Sequence, residues 1–172
     1  NSFLATKISF ANMLSDLCEA TGANVRDVAD GMGMDPRIGR SYLNAGIGYG
    51  GSCFPKDLKA FIWIGEKYGV DFSILKSVQR VNWNRVDLLK SKILRILGEI
   101  DGKTLAVWGL AFKPETDDVR EAPSLRVVRD LLDNGAYLRL YDPFAMDEFR
   151  REIALESMSI DYCNSAEDSA YA

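Results

Sequence analysis

Apolar side chains recur at three- and four-residue steps through roughly the first 100 residues, which is typical of helices with one buried face. In the first segment these positions are Leu4, Ile8, Ala11, Leu14 and Cys18, and we expect Cys18 in the core. Gly22 follows them, and glycine commonly ends a helix because it adopts the left-handed conformation without strain. The spacing therefore predicts one helix from the start of the chain to Gly22 and a second, short helix over residues 25–32.

Two further helices are predicted before residue 100. The first covers residues 55–68, with Leu58, Phe61 and Ile62 facing inward and Gly69 after its end. The second covers residues 73–98, and its apolar stripe restarts with an offset at residues 82–85. Such a stripe indicates either one long core helix with an irregular face or a helix whose two ends pack against different neighbours. Those neighbours could both lie in this chain, or one could lie in another subunit.

The helical period ends after residue 101, where strand-like runs begin. Residues 103–109 predict a buried parallel strand, and residues 137–141 alternate as a second strand does. Between them, Ser124 is a candidate N-cap of a helix that ends before Gly135. The inward positions of this helix are Leu125, Val128 and Leu132. Strand, helix and strand form one right-handed βαβ unit. Because a sheet of two strands does not stand alone, we expect its other strands beyond residue 172 and take the chain to be part of a longer protein.

Composition removes several classes of function. The 172-residue chain contains no histidine, which excludes Ser-His-Asp and Cys-His catalysis and most zinc sites within it, and we expect no metal. The net charge is −4 and the basic residues are scattered, so nothing favours nucleic acid as a partner. No apolar run reaches the length of a membrane span, and three widely spaced cysteines favour a cytoplasmic location over a disulfide framework.

The glycine-rich segment at residues 45–57 is the densest cluster of candidate chemistry. Gly46, Gly48 and Gly51 match the GxGxxG spacing of dinucleotide-binding loops, but that fingerprint follows a strand and opens a helix within a βαβ unit. The residues before this segment do not predict a strand, so we reject a dinucleotide site here. The glycines are better explained by a backbone that approaches a ligand closely.

Cys53 lies two residues before Pro55, and proline favours the first turn of a helix. The positive end of a helix dipole and the nearby Lys56 both favour a thiolate. Asp57 follows four residues after the cysteine and can share its face. Together these residues can form a nucleophile with acid–base support. A small buried cysteine in a turn, beside two solvated charges, explains the same pattern.

A second candidate loop, at residues 111–124, leaves the carboxyl end of the first predicted strand, where open α/β sheets bind ligands. Lys113 and Arg120 offer cations for a phosphate there. A charged surface loop without a ligand explains this segment equally well.

Three motifs connect these segments: DPRIG at residues 35–39, GGSCFPKD at residues 50–57 and FKPETDDVRE at residues 112–121. In this order they resemble the nucleotide-sugar 6-dehydrogenases, the UDP-glucose/GDP-mannose dehydrogenase family, and within it the members that act on UDP-glucose. The resemblance implies a multi-domain α and α/β fold. Residues 1–100 would form an all-helical central dimerisation domain, like the C-terminal domain of 6-phosphogluconate dehydrogenase, and residues 101–172 a truncated Rossmann-like domain that binds the UDP-sugar. The NAD-binding domain and a partner lysine would precede residue 1, so the chain alone is not expected to reduce NAD⁺.

The resemblance also implies a reaction, in which UDP-glucose is oxidised to UDP-glucuronate while two NAD⁺ are reduced. Cys53 would form a thiohemiacetal and then a thioester, and Arg37 would reach the substrate of the neighbouring subunit in a homodimer. The implied catalytic residues are Cys53, Asp57 and Asn1, the implied substrate-binding residues are Arg37, Tyr42, Asn44, Gly48, Tyr49, Gly50, Phe54, Phe112 and Lys113, and the implied cofactor-binding residues are Lys56 and Arg120.

Two alternatives stay open at this point. A GDP-mannose 6-dehydrogenase, or another nucleotide-sugar 6-dehydrogenase, would use the same cysteine chemistry on a different sugar nucleotide. A non-catalytic helical dimerisation module would keep Cys53 as a structural residue.

Overall fold

The computed structural model describes residues 1–154 and 158–171. In chain order its elements are α1 Ser2–Thr21, α2 Val25–Gly33, α3 Phe54–Lys67, α4 Ser73–Trp83, α5 Arg85–Leu97, β1 Thr104–Trp108, α6 Pro123–Asp133, β2 Tyr137–Tyr141, α7 Met146–Ile153, β3 Ile160–Tyr162 and α8 Ala166–Ala170. They form two compact units. The first contains Asn1–Tyr49 and Cys53–Arg85, and the second contains Gly50–Ser52 and the chain from Val86 onward. The assignment of domains to residues 1–100 and 101–172 stays a prediction.

The first unit is helical, and its first three helices lie where the periodicity predicts them. Helix α1 ends at Gly22 with a φ of 76°, the left-handed cap that the glycine predicts. The core of this unit contains Ala5, Tyr49, Leu58, Ile62 and Val78. Cys18 is also buried, as expected.

Phe61 does not face inward as predicted, because its side chain is 45% exposed. The buried stripe of α3 runs through Leu58, Ile62 and Gly65, and Phe61 lies at its margin. Its ring packs edge-on against Phe72, with 4.7 Å between the ring centroids.

The single helix predicted over residues 73–98 is wrong, because the chain turns at Asn84 and forms α4 and α5 instead. The break falls where the apolar stripe shifts. Val78 of α4 belongs to the core of the first unit, whereas Val86 of α5 belongs to the core of the second. The two stripes therefore pack against different neighbours, as one of the two interpretations predicted, and both neighbours lie within this chain.

The second unit contains a parallel sheet with the strand order β1-β2-β3. Strand β2 has the predicted limits, and its alternation buries Leu138 and Leu140. Strand β1 is parallel as predicted but not buried, because it lies at the edge of the described sheet and Trp108 is exposed. A third strand, β3, was not predicted and pairs with β2 within this chain. The expectation that every further strand lies beyond residue 172 is therefore wrong.

Helix α6 connects β1 to β2 and supplies much of the apolar contact of the second unit. The core of this unit includes Val128 of α6, Leu140 of β2 and Phe149 of α7, all fully buried. The predicted N-cap is wrong, because α6 begins at Pro123 and Ser124 lies in its first turn. The Ser124 hydroxyl instead donates to the carbonyl oxygen of Leu110 at 2.5 Å.

Asp142 directly follows β2 and is only 7% exposed. Its Oδ2 accepts hydrogen bonds from the backbone N–H groups of Leu110 at 2.7 Å and Ala111 at 3.3 Å. Its Oδ1 accepts from the N–H groups of Phe144 and Ala145, both at 2.8 Å. Burial raises the pKa of this carboxyl, but the four donors outweigh burial and the net pKa is lowered. The carboxylate thus ties the chain after β1 to the end of β2.

Candidate active site

Cys53 occupies the N-cap position of α3, with Pro55 in the first turn. The N–H of Asp57 donates to the carbonyl oxygen of Cys53 at 2.9 Å, which is the first hydrogen bond of the helix. The cysteine side chain is exposed, whereas Cys18 and Cys163 are buried. Burial raises the pKa of the Cys163 thiol. The position predicted for Cys53 is confirmed, and its role as a nucleophile stays a prediction.

The carboxylate of Asp57 is held from two sides. Lys56 Nζ lies 2.7 Å from its Oδ1, and the Asn1 amide donates to its Oδ2 at 2.5 Å. The hydrogen bond from Lys56, followed by that from Asn1, lowers the pKa of Asp57. The same pairing raises the pKa of Lys56, and the nearby Cys53 adds to that shift. The structure therefore brings together four of the predicted residues, although Asn1 and Asp57 are far apart in the sequence.

Asn82 of α4 holds the backbone of Tyr49 with both ends of its amide. Its Oδ1 accepts from the Tyr49 N–H at 2.7 Å, and its Nδ2 donates to the Tyr49 carbonyl oxygen at 3.0 Å. At Gly48, where φ is 111°, a Cβ atom would lie 2.7 Å from Asn82 Oδ1. Glycine is therefore required there both by the backbone conformation and by the approach of Asn82.

A buried arginine fixes the other end of the same segment. Arg85 Nε donates to the carbonyl oxygen of Gly46 at 3.1 Å, and its Nη1 pairs with the carboxylate of Asp16 at 2.7 Å. The N–H of Gly46 donates to Asn12 Oδ1 at 2.8 Å. Asn82, Arg85 and Asn12 were not predicted as site residues from the sequence. The signals were present, because Asn12 interrupts the apolar face of α1 and the other two residues fall at the shift in the stripe.

Three aromatic rings meet at Phe54, the residue after the cysteine. Tyr49 packs edge-on against Phe54, with 5.8 Å between centroids, and Tyr42 packs on the same ring at 6.1 Å. Tyr49 is buried, and burial raises the pKa of its phenol to about 12. Tyr42 has a φ of 65°, which is uncommon for a residue with a large side chain. Since Phe54 directly follows Cys53, these rings fix the first residue of α3.

Gly50 and Gly51 belong to the second unit and contact its loop at residues 112–122. A Cβ at Gly50 would lie 2.3 Å from the carbonyl oxygen of Glu121, and one at Gly51 would lie 2.8 Å from the Phe112 ring. The Gly51 N–H donates to the carbonyl oxygen of Arg120 at 2.8 Å. Gly50 and Gly51 therefore allow a close approach within the second unit. The approach of the glycine-rich backbone to a ligand stays a prediction. The residues before the segment form no strand, which confirms the rejection of a dinucleotide loop.

The other predicted cations are exposed, and the two arginines carry carboxylate partners. Arg120 pairs with Asp118 at 2.7 Å and lowers the pKa of that carboxyl. In the first unit, Arg37 pairs with Asp35 at 2.5 Å, with its guanidinium turned to solvent. Lys113 lies 5.4 Å from the centroid of the Phe112 ring in the second unit.

The side chain of Asn44 borders a shallow pocket of the first unit, together with Arg26, Arg40 and Leu43. Among the described residues, no helix combines the length and apolar character needed to cross a bilayer. The same residues contain no group of three or more Cys, Asp or Glu side chains arranged to hold a metal ion.

Comparison with known proteins places both units in one family. The sequence model of the UDP-glucose/GDP-mannose dehydrogenase family, central domain, matches residues 1–84, and that of the UDP binding domain of the same family matches residues 106–171. UDP-glucose 6-dehydrogenase YwqF of Bacillus subtilis is 47% identical over 169 residues, which are 98% of this chain and 38% of that protein. UDP-glucose 6-dehydrogenase TuaD of the same organism is 48% identical over 148 residues, 86% of this chain and 32% of that protein.

Solved structures agree with these matches. The structure of a UDP-glucose dehydrogenase from the archaeon Pyrobaculum islandicum superposes with a TM-score of 0.90 at 44% identity, covering 96% of this chain and 38% of that one. The chain therefore spans less than half the length of these relatives. Because one family accounts for both its helical unit and its α/β unit, the chain belongs to the UDP-glucose/GDP-mannose dehydrogenase family.

Proposed function

We propose that the chain is the central and UDP-binding portion of a UDP-glucose 6-dehydrogenase, which oxidises UDP-glucose to UDP-glucuronate with NAD⁺. The observation that carries this proposal is the exposed thiol of Cys53 at the N-terminus of α3, one turn before a carboxylate held by Lys56 and Asn1. A thiol nucleophile beside a fixed acidic group is the arrangement that covalent aldehyde oxidation requires. Both B. subtilis relatives, which share this part of the chain, are named UDP-glucose 6-dehydrogenases.

In this proposal Cys53 forms a thiohemiacetal with the C6 aldehyde and holds the oxidised carbon as a thioester until water releases the carboxylate. The lowered pKa of Asp57 keeps its side chain ionised at neutral pH. An ionised carboxylate accepts hydrogen bonds, so Asp57 can orient the thiol or the attacking water. Asn1 fixes the orientation of that carboxylate through its 2.5 Å hydrogen bond.

The proposed sugar-nucleotide residues lie in both units. In the first unit they are Arg37, Tyr42, Asn44, Gly48, Tyr49 and Phe54, and in the second they are Gly50, Phe112 and Lys113. Lys113 supplies a positive charge suited to a diphosphate. The match of residues 106–171 to a UDP binding domain supports the assignment of a UDP-sugar to the second unit.

This chain offers NAD⁺ two exposed cations but no dinucleotide-binding loop. Strand β1 is followed by Gly109, Leu110 and Ala111 and not by a GxGxxG loop, so the described residues offer no dinucleotide fingerprint. Lys56 and Arg120 are largely exposed, and we propose that they contact the cofactor phosphates from outside its main binding domain. When bound, NAD⁺ supplies the hydride acceptor.

We further propose that the parent enzyme is a homodimer formed through the helical unit. One face of α1 exposes large apolar side chains at helical spacing: Phe3, Phe10, Met13 and Leu17. Such a face favours burial against another protein surface. Arg37, whose guanidinium is exposed, would reach the substrate of the partner subunit.

The test uses the full-length dehydrogenase that contains this chain. Cys53→Ala should abolish NADH formation from UDP-glucose, because no second exposed cysteine lies among the described residues. Cys18→Ala is the matched control, since its thiol is buried in a helix, and should keep activity. Substantial turnover by Cys53→Ala would refute covalent catalysis.

The same assay decides between the alternatives. Faster oxidation of GDP-mannose than of UDP-glucose would assign the protein to the other branch of the family. A wild-type protein that oxidises neither sugar nucleotide would favour a non-catalytic dimerisation module.

A further inference from the structure

The backbone of residues 46–49 is held by side chains and not by secondary structure. Gly46 and Tyr49 each have both of their peptide hydrogen-bonding groups paired with side chains of the helices. Loops rarely receive such complete pairing from side chains, because water usually satisfies their peptide groups. The pairing therefore fixes one conformation for this segment.

Asn82 makes the most specific of these contacts. An amide can donate and accept at once, and Asn82 uses both functions on a single residue, Tyr49. Aspartate has nearly the same shape but, when ionised, offers acceptors only. The Asn82 amide also fills the space that a Cβ at Gly48 would occupy, so the glycine and the asparagine depend on each other.

The effect of this contact extends to the start of α3. The Tyr49 ring is buried and packs edge-on against Phe54, with 5.8 Å between centroids. Phe54 is the first residue of the helix that Cys53 caps. A shift of the Tyr49 backbone would therefore move a ring that supports the residue next to the thiol.

We infer that Asn82 is a positioning residue for the proposed dehydrogenase reaction: by pairing with the Tyr49 backbone it sets the conformation of residues 46–49 relative to Cys53. Both hydrogen bonds of the Asn82 amide go to the Tyr49 backbone, so its effect on the site is indirect. The inference rests on the proposed function, because it assigns the loop a role in holding the sugar nucleotide.

The experiment compares Asn82→Ala with Asn84→Ala in the full-length dehydrogenase. Asn84 is exposed and lies at the end of the same helix, so it controls for the loss of an asparagine amide there. We expect Asn82→Ala to lower kcat/KM for UDP-glucose by about 10- to 100-fold, because ångström-scale misplacement of a reacting group costs rates of that order. The KM for NAD⁺ should stay within about twofold of the wild-type value, since this loop is not assigned to the cofactor.

Asn82→Asp adds a readout that a purely structural role would not change. Its carboxylate can accept from the Tyr49 N–H but can donate to the Tyr49 carbonyl only when it is protonated. Its activity relative to wild type should therefore increase as the pH is lowered towards 5, whereas the ratio for Asn82→Ala should stay flat. If Asn82→Ala fails to fold, this pH-dependent ratio decides the question.

Several outcomes would overturn the inference. Equal activity of Asn82→Ala and Asn84→Ala, within about twofold, would show that the Tyr49 contact does not position the site. A ratio for Asn82→Asp that does not vary with pH would do the same. If the wild-type enzyme does not oxidise a sugar nucleotide, the proposed function fails and this inference fails with it; an active wild type with an active Asn82→Ala overturns this inference alone.

Discussion

The carboxylate of Asp142 is a sensitive point of the second unit, because it accepts four backbone hydrogen bonds while nearly buried. The substitution Asp142→Asn keeps its shape and replaces one oxygen by an NH₂ group. Whichever way the new amide turns, two backbone N–H groups then face a donor. Each buried donor that loses its acceptor costs about 1–3 kcal/mol. Because one of the four contacts is long, at 3.3 Å, we expect a total loss of about 2–4 kcal/mol.

Hydrogen exchange measured on the 172-residue chain tests this magnitude locally. The amides of residues 105–111 and 140–146 should exchange about 30- to 1000-fold faster in Asp142→Asn, since about 1.4 kcal/mol corresponds to a factor of ten. The matched control is Asp133→Asn, which changes an exposed aspartate at the end of α6 and should alter stability by less than about 0.5 kcal/mol.

The stability conferred by Asp142 should also depend on pH. The pKa of Asp142 is lowered in the folded chain, so its stabilising effect is present above the pKa of the unfolded carboxyl, about 3.9. The effect is lost as the pH falls through the lower pKa of the folded state. The difference in free energy of unfolding between wild type and Asp142→Asn should be constant from about pH 5 to 8 and should narrow below about pH 4. If that difference is under about 0.5 kcal/mol at neutral pH, or if it persists below pH 4, the stabilising role of the Asp142 carboxylate is refuted.

Two further substitutions test the core and the carboxylate of the candidate site. Phe149→Ala, at a side chain with 0% exposure, should destabilise the second unit by about 3–5 kcal/mol in urea unfolding, because it leaves a cavity. Phe144→Ala, at a side chain 62% exposed, is the control. Asn1→Ala removes a donor from Asp57, so the pKa of that carboxyl should rise towards its ordinary value, as followed by carbon NMR of the side chain.

Each of these expectations has an outcome that contradicts it. A loss below about 1 kcal/mol for Phe149→Ala would mean that the core collapses around the missing ring. An unchanged pKa of Asp57 in Asn1→Ala would mean that Lys56 alone holds the carboxylate in solution.

Alternation and capping residues predicted the limits of two elements closely. Strand β2 has the predicted limits because its clean alternation leaves one choice of face, and helix α1 ends where Gly22 predicts its cap. The same approach joined α4 and α5 into one helix. The shifted stripe marked the break, but residue spacing alone could not show that Val78 and Val86 enter different cores.

Strand β3 was missed for a different reason. It has only three residues, Ile160–Tyr162, and its pairing with β2 comes from the sheet and not from its own pattern. The burial of β1 was overestimated because an apolar run does not show whether a strand has one neighbour or two.

In the candidate site, neighbouring residues alone were enough to predict the position of the thiol and of the carboxylate. Pro55 placed Cys53 at the start of α3, and the spacing of Asp57 placed it one turn later. The residues that fix the loop were not predicted. Asn82 and Arg85 act on backbone atoms more than thirty residues away in the sequence, and their role depends on the folded arrangement of the helices.

The edge position of β1 also affects how the chain behaves on its own. Within the described sheet β1 pairs only with β2, so the N–H and C=O groups on its other side are available to a further strand. An open edge with an exposed tryptophan, Trp108, lacks the charges and prolines that discourage strand addition between molecules. At high concentration the 172-residue chain should therefore self-associate through β1, unless another strand covers that edge. Solubility, and not the strength of its core, would then limit how the isolated chain can be handled.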